Sequence, residues 1–127
     1  MKYLCILAIA VAILSGCHST VRYRGILPAA DCSGIEYSLS LDTGKHIYSL
    51  ETRYIDADGP GKDVRFTSYG SYEVIGGSAD SSKYFRLISK SDRDTIYFKK
   101  VDGKTLRLVN DDLQEPMHPE NYEITVD

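Results

Sequence analysis

From Val21 onward, apolar positions recur at every second residue, and no stretch keeps the i, i+3, i+4, i+7 stripe of an amphipathic helix. Residues 34–41 alternate Ile35, Tyr37, Leu39 and Leu41 against Glu36, Ser38 and Ser40, which is the pattern of a strand with one buried face. Asp42-Thr43-Gly44 turns that strand, and residues 46–54 continue as Tyr48, Leu50 and Tyr54 against Ser49, Glu51 and Arg53, so the two runs are expected to form a hairpin. A run of turn-forming and small residues, Asp56 to Gly61, breaks the chain next. Residues 64–75 read as a long strand whose alternation resets near Gly70, where a bulge or sharp bend is expected. Three short strands follow at 84–89, 95–100 and 105–109, separated by hairpin signals at Ser91-Asp92-Arg93-Asp94 and Asp102-Gly103. A polar segment holding Pro116 and Pro119 leads to a last strand at 122–126. With residues 21–26 counted first there are about eight strands with mostly short connections, which favours neighbour pairing in a small, all-β, antiparallel up-and-down barrel.

The first residues follow a different rule. Met1-Lys2 is a basic start, Tyr3 to Leu14 is an apolar run without charge, proline or glycine, and Leu14-Ser15-Gly16-Cys17 is a lipobox. The run is shorter than the roughly 20 residues that span a hydrocarbon core, so the expectation is a cleaved signal at 1–16, a lipid-bearing Cys17, a linker at 17–20 and one domain at 21–127. Small residues at 15 and 16 suit a signal peptidase, whereas Cys5 has too little chain ahead of it to play the same part. Several acyl chains on one sulfur anchor a protein stably, at about 0.8 kcal/mol per buried methylene. His18 is not the Asp of the common inner-membrane retention signal, so the expected location is the outer membrane of the cell envelope.

Composition then narrows the partners. The formal net charge is −3, and loss of Lys2 makes it more negative, which argues against nucleic acid and against overall charge as a bond to a membrane surface. Of three cysteines, Cys5 leaves with the signal and Cys17 is consumed by lipid, so Cys32 stands alone, no intramolecular disulfide forms and stability must come from core burial. Ten Tyr and no Trp suit strands.

The segment Tyr23-Arg24-Gly25-Ile26-Leu27-Pro28-Ala29-Ala30-Asp31-Cys32-Ser33-Gly34-Ile35 resembles the start of the NlpE N-terminal domain, from the copper-resistance and envelope-stress lipoprotein family, whose pattern there reads Gly-x-Leu-Pro-Cys-Ala-Asp-Cys-Pro-Gly-Ile. Tyr48-Ser49-Leu50-Glu51-Thr52, Gly70-Ser71-Tyr72-Glu73-Val74 and Gly103-Lys104-Thr105-Leu106-Arg107-Leu108 are similar to later strands of that family. The resemblance implies a lipocalin-like barrel, an envelope protein partner that docks at the loop carrying Pro28, Asp31, Cys32 and Gly34, and a link to copper. The family's Cys-x-x-Cys is here Ala29 and Cys32, and a single thiolate neither chelates Cu(I) as a pair nor closes a redox disulfide.

Other candidate chemistry is sparse. Cys32 reads as a buried thiol, a weak soft-metal ligand or an exposed pairing thiol. His46, Met117 and His118 are expected on the surface, the last two pointing to opposite sides of an extended segment. The acids at Asp56, Asp58 and Asp63 and at Asp111, Asp112 and Glu115 lack EF-hand spacing and read as solvated turn residues. No nucleophile elbow, zinc-protease motif or phosphate loop occurs, so the expectation is a protein that is not an enzyme and carries no cofactor. Two functions remain open: a membrane-anchored sensor or accessory in envelope stress or copper homeostasis, and a lipocalin-like carrier of a small apolar ligand. The second requires Tyr37, Leu39, Tyr48, Leu50, Phe66 and Tyr72 to line a cavity rather than fill the interior.

Overall fold

The computed structural model describes residues 19–76 and 81–127, and the expectations for the signal at 1–16 and for Cys17 lie outside that range. Eight antiparallel strands run in chain order: β1 (Thr20–Leu27), β2 (Gly34–Asp42), β3 (Ile47–Ile55), β4 (Val64–Gly76), β5 (Lys83–Ser89), β6 (Thr95–Lys100), β7 (Thr105–Val109) and β8 (Glu123–Val126). Each pairs with the next, and Tyr23↔Val126 and Arg24↔Thr125 join β1 to β8, so the sheet closes into the expected barrel. A short 3-10 turn, Pro119–Tyr122, closes the polar segment and takes in Tyr122, which the sequence had placed at the start of the last strand.

Alternation decides which side chains enter. Tyr23, Leu39, Leu50 and Ser68 share one cross-strand row, and Val21, Leu41, Tyr48 and Gly70 share the next, all on the inner face. Leu87 opposite Tyr72, Phe98 opposite Phe85, and Leu106 opposite Ile124 continue that face around the other half. Leu39, Leu41, Leu87, Phe98, Leu106 and Ile124 are the largest fully buried side chains and pack as one cluster, so the interior is filled. Tyr48 satisfies its phenol inside through Ser68 Oγ at 2.8 Å. Burial raises the phenol pKa of Tyr23, Tyr37 and Tyr72.

One device shapes most of the connections. Asp42 Oδ1 accepts from Gly44 N and Lys45 N at 3.0 Å, Asp92 Oδ1 from Asp94 N at 3.0 Å, Asp102 Oδ1 from Lys104 N at 2.8 Å and Asn110 Oδ1 from Asp112 N at 2.9 Å. An Asp or Asn at the head of a turn replaces the strand ladder with a local side-chain bond, which is why these residues mark the turns in the sequence.

Two expectations are corrected. Of the bulge or sharp bend expected at Gly70, the bulge is absent: pairing runs through Gly70 unbroken, with Tyr48 opposite on β3 and Ser89 opposite on β5. Gly70 is instead the crossing point where β4 passes from one neighbour to the other, and a Cβ there would lie 1.9 Å from the Ile88 carbonyl oxygen. The apolar alternation of β4 fades here because Ser68 and Gly70, both small, occupy inward positions. Phe66 has inner-face parity but is 59 % exposed, because it lies on the part of β4 that extends past its pairing with β5, and it meets Tyr54 edge-on instead of the core. Tyr84 and Val109, on the outer parity, are buried all the same.

Candidate functional site

The loop from Pro28 to Ser33 joins β1 to β2 at one end of the barrel. It is tied to the β3–β4 loop beside it: Ser33 N donates to Ile55 O at 3.3 Å, and Ser33 Oγ donates to Asp56 Oδ2 at 3.3 Å. The second loop is in turn locked by its acids, because Asp56 Oδ1 accepts from Gly61 N at 2.7 Å and Asp63 Oδ1 accepts from Asp56 N at 2.9 Å. Arg53 bridges this loop to the sheet, pairing with Glu36 at 3.1 Å and with Asp63. The Asp56 backbone N–H and the Arg53 guanidinium hold the Asp63 carboxyl below its ordinary pKa, so the bridge is charged at neutral pH.

Within the loop, Cys32 is half-buried, and its thiol donates to Gly34 O at 3.3 Å. Ala29 is also half-buried, while Pro28 and Asp31 face solvent, and the Asp31 carboxylate forms no capping bond among the described residues. Gly34 is buried at the start of β2, and a Cβ there would sit 2.9 Å from Ile26 Cγ2, so any larger residue must push the Ile26 side chain aside. The loop is thus a shaped surface feature held from below by packing and from one side by hydrogen bonds. Its sequence motif and its position at a barrel end coincide.

A sequence profile of the NlpE N-terminal domain matches residues 23–118. The chain belongs to the NlpE N-terminal domain family. Members of this family are envelope proteins, and the matched range takes in the 28–34 loop and strands β2 to β7 entire. No curated protein and no solved structure matches the chain.

The remaining candidates are scattered over this NlpE-family barrel. His46 lies in the turn between β2 and β3, with its ring stacked on Tyr72 at 5.2 Å. Met117 is exposed, and His118 stands beside Glu120 with 3.9 Å between Nδ1 and Oε1. Glu115 accepts from Lys99 at 3.2 Å and from Arg107 at 2.6 Å, so this member of the second acidic group is taken up by ion pairs across the outer wall of β6 and β7, while Asp111 and Asp112 are exposed. Among the described residues no three His, Cys, Asp or Glu side chains converge as metal ligands.

The sequence reading missed one surface. Two adjoining grooves on the outer wall, of about 490 and about 260 Å³, share Ile47, Tyr48 and Tyr69. Only the register reveals them, because Ile47, Tyr69 and Ile88 come from three separate strands.

Proposed function

We propose that this chain is a membrane-anchored lipoprotein of the cell envelope, placed in the outer membrane, and acts without catalysis as a sensor or accessory in envelope stress. The family match over 23–118 carries the reading, with the 28–34 loop as the surface that meets another envelope protein. The lipobox ending at Cys17 supplies the anchor. A filled interior favours this reading over a carrier, whose ligand would need the volume that Leu39, Leu50, Leu87 and Phe98 occupy.

The experiment is a deletion strain carrying an envelope-stress reporter, complemented with the wild-type chain or with Asp31→Lys. Asp31 is exposed and makes no side-chain bond among the described residues, so its substitution is expected to leave the barrel intact while reversing the charge of the docking loop. Deletion is expected to change reporter output, wild type to restore it, and Asp31→Lys to restore it poorly at equal protein level. Reporter output and copper tolerance that are unchanged by deletion would overturn the proposal.

A further inference from the structure

The outer wall near the β2–β3 turn has an unusual surface. Across β1 to β5 the outward positions fall into rows, one reading Thr20, Asp42, Ile47, Ser71, Ile88 and the next reading Arg22, Ser40, Ser49, Tyr69. Serines at Ser40, Ser49 and Ser71 keep the floor low, and the large side chains stand above it. Ile47 is 46 % exposed and Tyr69 is 62 % exposed, with Ile88 half-buried across Ser71 from Ile47. Lys90 and Arg93 rim one side of this surface, and Thr20 lines the other.

Chain length fixes what lies opposite. Ser19 is held to the β2–β3 turn, since its carbonyl accepts from Thr43 N at 3.1 Å and from Thr43 Oγ1 at 3.2 Å. Cys17 is two residues earlier, and at 3.3–3.6 Å per residue even a fully extended link spans only about 7 Å. A lipid on Cys17 therefore keeps the wall beside Thr20 at the depth of the headgroups. That zone favours what this wall presents: a tyrosine with an apolar ring and a wet hydroxyl, apolar side chains, and Lys and Arg whose stems lie along the surface. Asp42 and Asp92, bonded to Gly44 N and Lys45 N and to Asp94 N, stay charged near Lys90 and Arg93, so the rim carries no strong net positive charge. Overall charge is not the attraction; apolar contact beside a short tether is.

We propose that the Ile47–Tyr69–Ile88 surface is the face by which the anchored barrel rests on its own membrane, with Lys90 and Arg93 against lipid phosphates. This inference rests on the lipoprotein reading above. It fixes the orientation of the barrel as well, because β1 and β2 then carry the 28–34 loop away from the bilayer.

Single cysteines at Ile47→Cys, Tyr69→Cys and, as a control at the far end of β4, Phe66→Cys are placed in the full chain with Cys32→Ser. The acylated protein is isolated from a bacterial host, its intact mass is recorded, and a fluorophore sensitive to its surroundings is attached. It is then added to vesicles of phosphatidylethanolamine and phosphatidylglycerol with or without doxyl-labelled lipid. Labels at 47 and 69 are expected to lose about half of their emission to the doxyl lipid, as for groups about 5–10 Å into the interface, while the label at 66 is little changed. Acylated protein whose three labels respond alike, or not at all, overturns the orientation and leaves the lipoprotein reading standing. An intact mass with residues 1–16 retained and Cys17 unmodified overturns both.

Discussion

Replacing Gly70 with alanine tests the crossing of β4 between its two neighbours. The added methyl group would sit 1.9 Å from Ile88 O and 2.9 Å from Lys90 N, both backbone atoms that no rotamer change can move away. Relief requires β4 and β5 to separate by more than an ångström where Lys90 N donates to Tyr69 O at 2.9 Å. Overpacking of this kind costs about 1–3 kcal/mol, and loss of the backbone bond adds about 1 kcal/mol. Against that, alanine lowers the entropy of the unfolded chain by about 0.4–1 kcal/mol. The balance is a loss of about 1–4 kcal/mol, or about 5–20 °C in melting temperature for a domain of this size. Gly103→Ala is the matched control, since its Cβ would meet nothing within 4 Å. Circular dichroism melts and urea titrations of both variants give the comparison. If Gly70→Ala melts within a couple of degrees of Gly103→Ala, the close approach is not a constraint of the fold.

Three further outcomes follow from the same structure. Phe98 is fully buried against the partly buried ring of Tyr37, 6.4 Å away edge-on, so Phe98→Ala should cost about 3–5 kcal/mol in urea unfolding, while Phe66→Ala at the exposed lip should cost under about 1 kcal/mol. Arg107, then Lys99, lowers the pKa of Glu115 in the folded chain. Its contribution is therefore complete above the unfolded value of about 4.3 and is lost as pH falls through the folded value; urea midpoints at pH 7 and pH 3 should differ less in Glu115→Gln than in wild type. The Cys32 thiol, half-buried and bonded to Gly34 O, should react with a disulfide reagent about ten-fold or more slowly in the folded chain than in urea.

Strand positions were legible because one face is apolar along nearly every strand, and the ends were marked by Asp42, Asp92 and Asp102 at the turns. What escaped the pattern has specific causes. Ser68 and Gly70 point inward yet carry little apolar surface, so the alternation of β4 faded where the register did not. Phe66 has the parity of a core residue, but burial also depends on strand length: β4 has 13 residues and β5 has 7, so the lip lacks a facing wall. The 28–34 loop was visible as a local motif, whereas the Ile47–Tyr69–Ile88 surface exists only after three strands are aligned. Local order in the chain thus revealed the loop, and only tertiary pairing revealed the wall.

Copper is where family and residues diverge, and the divergence can be measured. Soft Cu(I) is held by at least two thiolate or thioether donors, and the family pattern offers two thiols three residues apart. Here the first is Ala29, half-buried in the same loop as Cys32, while Met117 and His118 lie far along the chain in the connection between β7 and β8. Cys32 also already donates its proton to Gly34 O, a bond that must be given up before the sulfur can bind a metal as thiolate. In competition with a Cu(I) chelator, wild type and Cys32→Ala should therefore release the metal alike. Ala29→Cys, which restores the pair, should retain it at chelator concentrations about ten-fold higher or more, in line with the gain from a second soft ligand on one loop. If wild type instead outcompetes Cys32→Ala by as much as Ala29→Cys outcompetes wild type, a second donor must reach Cys32 from elsewhere, and a copper-free reading of the 28–34 loop is wrong.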